Sequence, residues 1–229
     1  MIEAELNNKI PKLERWEDIL SSNVFGLLEL IDNKYLLKIV ANAKNIHGRI
    51  ILYDFKERKI KKVELWKKFL TGYEPDIIVT LDNDDFFIIE VKYFSHEHNK
   101  KERKSEDDKK STAEDEKSGQ LATYLNLEVE NKKSDFIIYL TADYQSLKRI
   151  DNSKEKINSK KCLDNIYHIH WDDVNEYLIH QVEHLEGTEK KIVNKIIEYL
   201  NFKGFTYWNG FKYKDEYQKL DINIGEFCG

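Results

Sequence analysis

The residues that could carry chemistry sit at the edges of two apolar runs. Asp76 opens Ile77-Ile78-Val79, and after an Asp-rich stretch the run Phe86-Phe87-Ile88-Ile89 ends in Glu90-Val91-Lys92. If both runs are strands, side chains alternate between faces, so Glu90 and Lys92 share one face while Val91 packs on the other. Two carboxylates on neighbouring strands can converge on one divalent cation. Mg²⁺ takes hard oxygen ligands and keeps several waters, so Asp76, Glu90 and the backbone carbonyl of Val91 would hold it and leave room for a phosphate and a nucleophilic water. The Lys92 ammonium would position or activate that water and stabilise charge building on the phosphate. The expected cofactor is Mg²⁺, with Mn²⁺ as its alternative. An exposed strand-end salt bridge is the plainer reading of the same three residues.

Such a site needs elements that hold it. Glu14 to Leu20 reads as a short helix, and apolar spacings of three and four from Val24 to Ala43 predict further helix, broken near Asp32 and Asn33. Ile50 to Phe55, Val63 to Trp66, Ile77 to Leu81 and Phe86 to Val91 read as strands, the last two joined by the turn Asp82-Asn83-Asp84-Asp85. Residues 95–118 are almost wholly polar and predict a long mobile loop, because they have no apolar face to bury. Gln120 to Leu127 is expected to be helical, Phe136 to Leu140 and Ile166 to His170 strands, and Val174 to Leu185 and Lys190 to Leu200 amphipathic helices. The chain reads as α/β and as a single domain over 1–229, with a helical and aromatic C-terminal extension over 186–229 packed on it.

With these elements around it, the pair Pro75-Asp76 and Glu90-Val91-Lys92, with thirteen residues between Asp76 and Glu90, resembles the PD-(D/E)xK nuclease superfamily. Further matches extend the resemblance from Arg15 to Gly210. They are Glu17 within Arg15-Trp16-Glu17-Asp18, the segment Gln120-Leu121-Ala122-Thr123-Tyr124, the strand-then-Trp segment Ile166 to Trp171, and Lys203-Gly204-Phe205. Related sequences carry Asp before the Gln, where this chain has Gly119. The resemblance implies a restriction-endonuclease-like three-layer αβα fold with a central mixed sheet of four or more strands. It implies Glu17 as a helper of the metal or its waters. Gln120 and Tyr124, four apart on one helical face, would contact the phosphate backbone or orient Lys92. The implied activity is Mg²⁺-dependent hydrolysis of phosphodiesters, with DNA as the first substrate and RNA as the open alternative, in defence or repair by analogy. A catalytically inactive nuclease-fold module that binds nucleic acid or partner subunits is the alternative. A homodimer would also suit such a nuclease, since two strands need two sites.

Charge bears on the partner. The 229 residues carry a formal net charge of -5, which by itself argues weakly against nucleic acid. The distribution is uneven, however. From Lys34 to Phe69 eleven basic residues face three acidic ones, including Lys56, Arg58, Lys59, Lys61 and Lys62, which are expected to meet phosphates. Trp171 to Glu189 holds six acids and no Lys or Arg, and is expected to lie away from the substrate. No stretch is apolar enough to span a membrane, and Met1 to Lys12 lacks the apolar run of a signal peptide. Two cysteines, Cys162 and Cys228, argue against a disulfide framework, so a cytoplasmic, reducing setting is expected.

Histidine offers weaker readings. His180-Gln181-Val182-Glu183-His184 matches the H-x-x-E-H zinc pattern, but only 45 residues remain downstream for a third ligand. His96 and His98 open the polar loop, while His168 and His170 read as half-buried strand residues. The aromatics from Phe202 to Tyr217 read as packing before base stacking.

Overall fold

A computed structural model describes residues 2–7, 16–32, 34–51, 53, 55, 57–93, 120–129, 132–134, 136–152 and 164–206. The predicted loop at 95–118, the aromatics beyond residue 206, Lys56, His96, His98, Cys162 and Cys228 lie outside the described residues.

The helices are α1 (Ile2–Leu6), α2 (Trp16–Leu28), α3 (Lys34–Ala41), α4 (Gln120–Leu125), α5 (Ser146–Asn152), α6 (Trp171–Val182) and α7 (Gly187–Phe202). The strands are β1 (Lys44–Asn45), β2 (Ile60–Leu65), β3 (Ile77–Leu81), β4 (Phe86–Lys92), β5 (Glu128–Val129), β6 (Lys132–Lys133), β7 (Ile137–Thr141) and β8 (Ile166–His170). Six strands form one mixed sheet in the order β1-β8-β7-β4-β3-β2, and β5-β6 is a separate hairpin. Strands β4, β7 and β8 run parallel, and the other pairs in this sheet are antiparallel. Parallel neighbours need crossovers, which contain α4 between β4 and β7 and α5 between β7 and β8.

Every residue of β4 and β7 is buried, as expected for central strands covered on both faces. Val79, Phe87, Val91 and Ile138 pack with Val24, Ile39, Leu178 and Ile196 from α2, α3, α6 and α7. On the opposite face Ile78, Ile88, Tyr139 and Ile166 pack with Leu121 and Ile150 from α4 and α5. The sheet thus has helices on both faces, an arrangement that fits three layers. The β3-β4 hairpin closes through Leu81 N–H to the Asp85 carbonyl at 2.8 Å, with Asp84 at φ 63°, a left-handed conformation that Asp tolerates better than most residues.

Two expectations need adjusting. Ile50 to Phe55 forms no strand among its described residues. Ile50 makes one isolated bridge to Lys44, and the Tyr53 and Phe55 rings instead pack around Phe87 and Phe136. The two N-terminal helices predicted up to Asp32 are one continuous helix over its described part, and the break follows it, where the Asp32 carboxylate accepts from the Lys34 N–H at 2.9 Å. In the segment expected to pack on the domain, Val193, Ile196, Tyr199 and Leu200 of α7 are part of the main core.

Two segments distant in sequence meet behind the end of β4. The Trp171 ring stacks on Phe205 at 5.9 Å, and Phe205 meets Tyr93, the residue after Lys92, edge-on at 5.4 Å. Trp171 is fully buried, so Trp171→Ala is expected to lower unfolding free energy by about 3–5 kcal/mol in urea titrations. A loss under 1 kcal/mol would show that this aromatic stack does not brace the sheet.

Candidate active site

The hairpin register is what brings the sequence motif together. Ile77 pairs with Ile89, so Asp76, one step before β3, comes opposite Glu90 on the same face as Lys92. Glu17 arrives from the first turn of α2. The Lys92 ammonium lies 2.6 Å from Glu90 Oε1, 2.9 Å from the Val91 carbonyl, 3.3 Å from Glu17 Oε1 and 3.7 Å from Asp76 Oδ2. Glu90 and Lys92 are 1% and 5% exposed.

Two backbone amides at the end of β4 fix the outer carboxylates. Val91 N–H donates to Asp76 Oδ2 at 2.8 Å, and Tyr93 N–H donates to Glu17 Oε2 at 2.9 Å. Gln120 and Tyr124 meet on one face of α4, as their spacing predicts, and their hydrogen bonds run to each other and to the backbone. Gln120 Nε2 donates to the Tyr124 hydroxyl, and that hydroxyl donates to the Glu74 carbonyl, both at 3.2 Å. They brace the backbone that delivers Pro75-Asp76. Glu74 itself is exposed, with its carboxylate 3.6 Å from Lys68.

Among the described residues, three carboxylates surround one ammonium and do not balance. Burial and the neighbouring Asp76 charge push Glu90 up to about 8, even against the pull of Lys92. Burial also raises Asp76, only partly offset by Lys92 and by the Val91 amide. For Lys92 burial works downward, but the charges of Glu90, Asp76 and Glu17 outweigh it and raise the ammonium above an ordinary lysine. Burial, then the Glu90 charge, pushes the Tyr124 hydroxyl up to about 12.

A cation would relieve this imbalance, and the donor atoms partly fit one. Glu90 Oε2 is buried without a hydrogen-bond partner among the described residues, a cost of about 1–3 kcal/mol that an added cation would offset. Among those residues, however, no three His, Cys, Asp or Glu side chains are gathered as a ready metal-binding group. An ion would therefore rely on the Asp76 and Glu90 carboxylates, the Val91 carbonyl and waters. Lys92 occupies two of those acceptors.

Those expected phosphate-binding residues that are described lie elsewhere. Arg58 and Lys61 lie at the turn end of the β3-β4 hairpin, 3.8 Å from Asp82 and 2.6 Å from Asp84, and Lys59 is beside them. Lys62 pairs with Glu64 at 2.7 Å. The hairpin register places this turn away from Asp76, so these residues do not join the carboxylate group. Lys67 and Lys68 follow Trp66, whose N–H donates to the Asp76 carbonyl at 2.9 Å, and they pair with Glu64 at 3.1 Å and Glu74 at 3.6 Å, respectively. Part of the acidic segment can be placed as well. Asp172 and Asp173 open α6 directly after β8, at the same edge of the sheet as Lys92.

His180 lies 3.8 Å from Glu176, and neither it nor His184 belongs to a metal-binding group among the described residues. The sequence reading missed Tyr93, which fixes Glu17 through its amide and donates its hydroxyl to the Lys203 carbonyl at 3.1 Å. Its place directly after the acidic-x-Lys triplet was the available signal.

Glu90 gives a pH prediction for the metal-free protein. Its folded pKa lies above the unfolded 4.5, so its contribution is fully present below pH 4.5 and is lost as pH rises toward 8. The thermal midpoint should decline over that range in EDTA, and the decline should be smaller in Glu90→Gln. Parallel pH curves for the two proteins would contradict the assignment.

The chain matches no protein-family model, no curated protein and no solved structure. A function for it has to be argued from the chemistry of its own residues.

Proposed function

We propose that this chain is a metal-dependent endonuclease of the PD-(D/E)xK type, with a restriction-endonuclease-like fold and DNA as its first substrate. The observation that carries this reading is the meeting of Asp76, Glu90, Lys92 and Glu17 at one strand end, with a buried Glu90 oxygen left unpartnered. Asp76, Glu90 and the Val91 carbonyl would hold Mg²⁺ or Mn²⁺. Such an ion supplies Lewis acidity at a phosphoryl oxygen and lowers the pKa of a bound water.

The residues of the chain do the positioning. Lys92, held charged by its three carboxylates, is a hydrogen-bond donor and charge stabiliser, so it orients the attacking water and supports negative charge on the phosphate instead of taking a proton. Glu17, fixed by the Tyr93 amide, offers Oε1 as an acceptor to water beside Lys92. Tyr124 and Gln120 hold the Asp76 backbone in register. Lys67 and Lys68, next to the Trp66 amide that binds the Asp76 carbonyl, meet the phosphates flanking the scissile bond.

Incubation with plasmid and single-stranded DNA in Mg²⁺ or Mn²⁺ tests this directly. Cleavage should vanish in EDTA and fall by about 10² to 10⁴ in Lys92→Ala. Cleavage that survives Lys92→Ala would overturn the mechanism, and its absence under every metal would favour a binding module. Lys67→Ala with Lys68→Ala should weaken DNA binding and flatten its log-log salt slope by about one unit per residue, more than Arg58→Ala with Lys61→Ala. Equal effects from the two pairs would return the phosphate contacts to the turn end.

A further inference from the structure

The parallel register aligns Lys92 with Thr141 on β7 and His170 on β8. At roughly 4.8 Å per strand, His170 lies about 10 Å along the same edge from Lys92, with its side chain on the same face. A closed polar network surrounds it. Buried Ser146 Oγ lies 3.2 Å from His168 Nδ1 and 3.3 Å from His170 Nε2, and His170 Nε2 is 3.2 Å from the Asp143 carbonyl. On the other side, His170 N–H donates to Asp173 Oδ2 at 2.9 Å, and His170 Nδ1 is 3.6 Å from the same oxygen.

The order of Ser146, His170 and Asp173 mimics a hydrolytic triad, but the Ser146 side chain is fully buried and cannot meet a substrate. The network instead fixes the His170 ring, and a second ring stands beside it. Tyr144 is 75% exposed, its ring centroid is 5.2 Å from that of His170, and its hydroxyl donates to Asp172 Oδ2. A lone exposed aromatic needs no explanation. One held by its ring and by its hydroxyl, on a rigid base beside a strand-end site, is a preorganised flat surface.

We infer that Tyr144, standing on His170, is a stacking platform for a nucleobase of the strand being cleaved, and that Asp172 and Asp173 beside it favour a base with an exocyclic amine. The chemistry separates this corner from the phosphate contacts. Carboxylates repel a backbone phosphate but accept hydrogen bonds from the amino groups of cytosine or adenine, whereas thymine offers an acceptor in that position. Stacking on a fixed ring holds a single-stranded base whatever its identity, and the acidic edge supplies the preference. This subsite rests on the nuclease reading, since the base it takes belongs to the strand held at Lys92.

The test is fluorescence anisotropy of labelled oligo(dA), oligo(dC) and oligo(dT) with the full chain in Ca²⁺, with thermal midpoints recorded for each variant. Tyr144→Ala should weaken oligo(dA) and oligo(dC) about tenfold or more at an unchanged midpoint, and oligo(dT) less. Tyr144→Phe, which keeps the ring but loses its tether to Asp172, should fall between wild type and Tyr144→Ala, and Asp172→Asn should narrow the gap between oligo(dC) and oligo(dT). Wild-type binding with all three affinities unmoved in Tyr144→Ala would overturn the platform alone. Equal losses on the three oligonucleotides would overturn the amine preference. Failure of the wild-type chain to bind any of them would overturn the platform together with the nuclease reading.

Discussion

Glu17, Asp76 and Glu90 are gathered around a single ammonium, Lys92, where little water reaches. Burying like charges together is unfavourable unless other groups hold them, and the arrangement of the surrounding elements follows from that need. The Val91 and Tyr93 amides each take one carboxylate, so the end of β4 acts as a clamp for its neighbours. What remains is an excess of negative charge, expressed in the raised affinity of Glu90 for a proton and in its unpartnered oxygen. A proton or a cation can answer that excess. The chemistry proposed for the site follows from its taking the cation.

The scaffold reads as support for this group. Phe205 lies between Trp171 and Tyr93, tying the end of α7 and the start of α6 to the residue after Lys92. Lys203, two residues before Phe205, is buried with Glu5 at 2.5 Å, and its carbonyl accepts from the Tyr93 hydroxyl. On the opposite face of the sheet, Tyr124 ties α4 to the backbone ahead of Asp76. Each of the three acids and the lysine is thus reached from a different direction. That gives the site positional stiffness, which catalysis by orientation requires.

The central hairpin was legible in the sequence because its evidence is local. Two apolar runs, an Asp-rich turn and the two-residue period of a strand fix which side chains share a face, so the meeting of Asp76, Glu90 and Lys92 followed from spacing. Strand order was not legible, since β8 pairs with β7 across more than twenty intervening residues, and neither periodicity nor composition encodes that choice. The placement of charge was not legible for the same reason. Arg58 and Lys61 precede the motif in sequence, but β2 runs antiparallel to β3 and carries them to the far turn, where Asp82 and Asp84 meet them. Asp172 and Asp173, more than ninety residues after Asp76, come to the near edge because β8 ends beside β7. Ile50 to Phe55 looked like a strand by residue type, and its aromatic rings serve packing with Phe87 and Phe136 instead.

Metal-dependent chemistry at this strand end requires the carboxylate group to take a divalent ion at the atoms Lys92 now occupies. Calorimetric titration of the chain with Mn²⁺ measures this without any substrate. One ion should bind per chain, binding should be lost in Glu90→Ala, and it should tighten in Lys92→Met, where no ammonium competes for Glu90 Oε1 and the Val91 carbonyl. Absence of binding by the wild-type chain, or equal binding by Glu90→Ala, would contradict the assignment of this strand end as a metal-dependent active site.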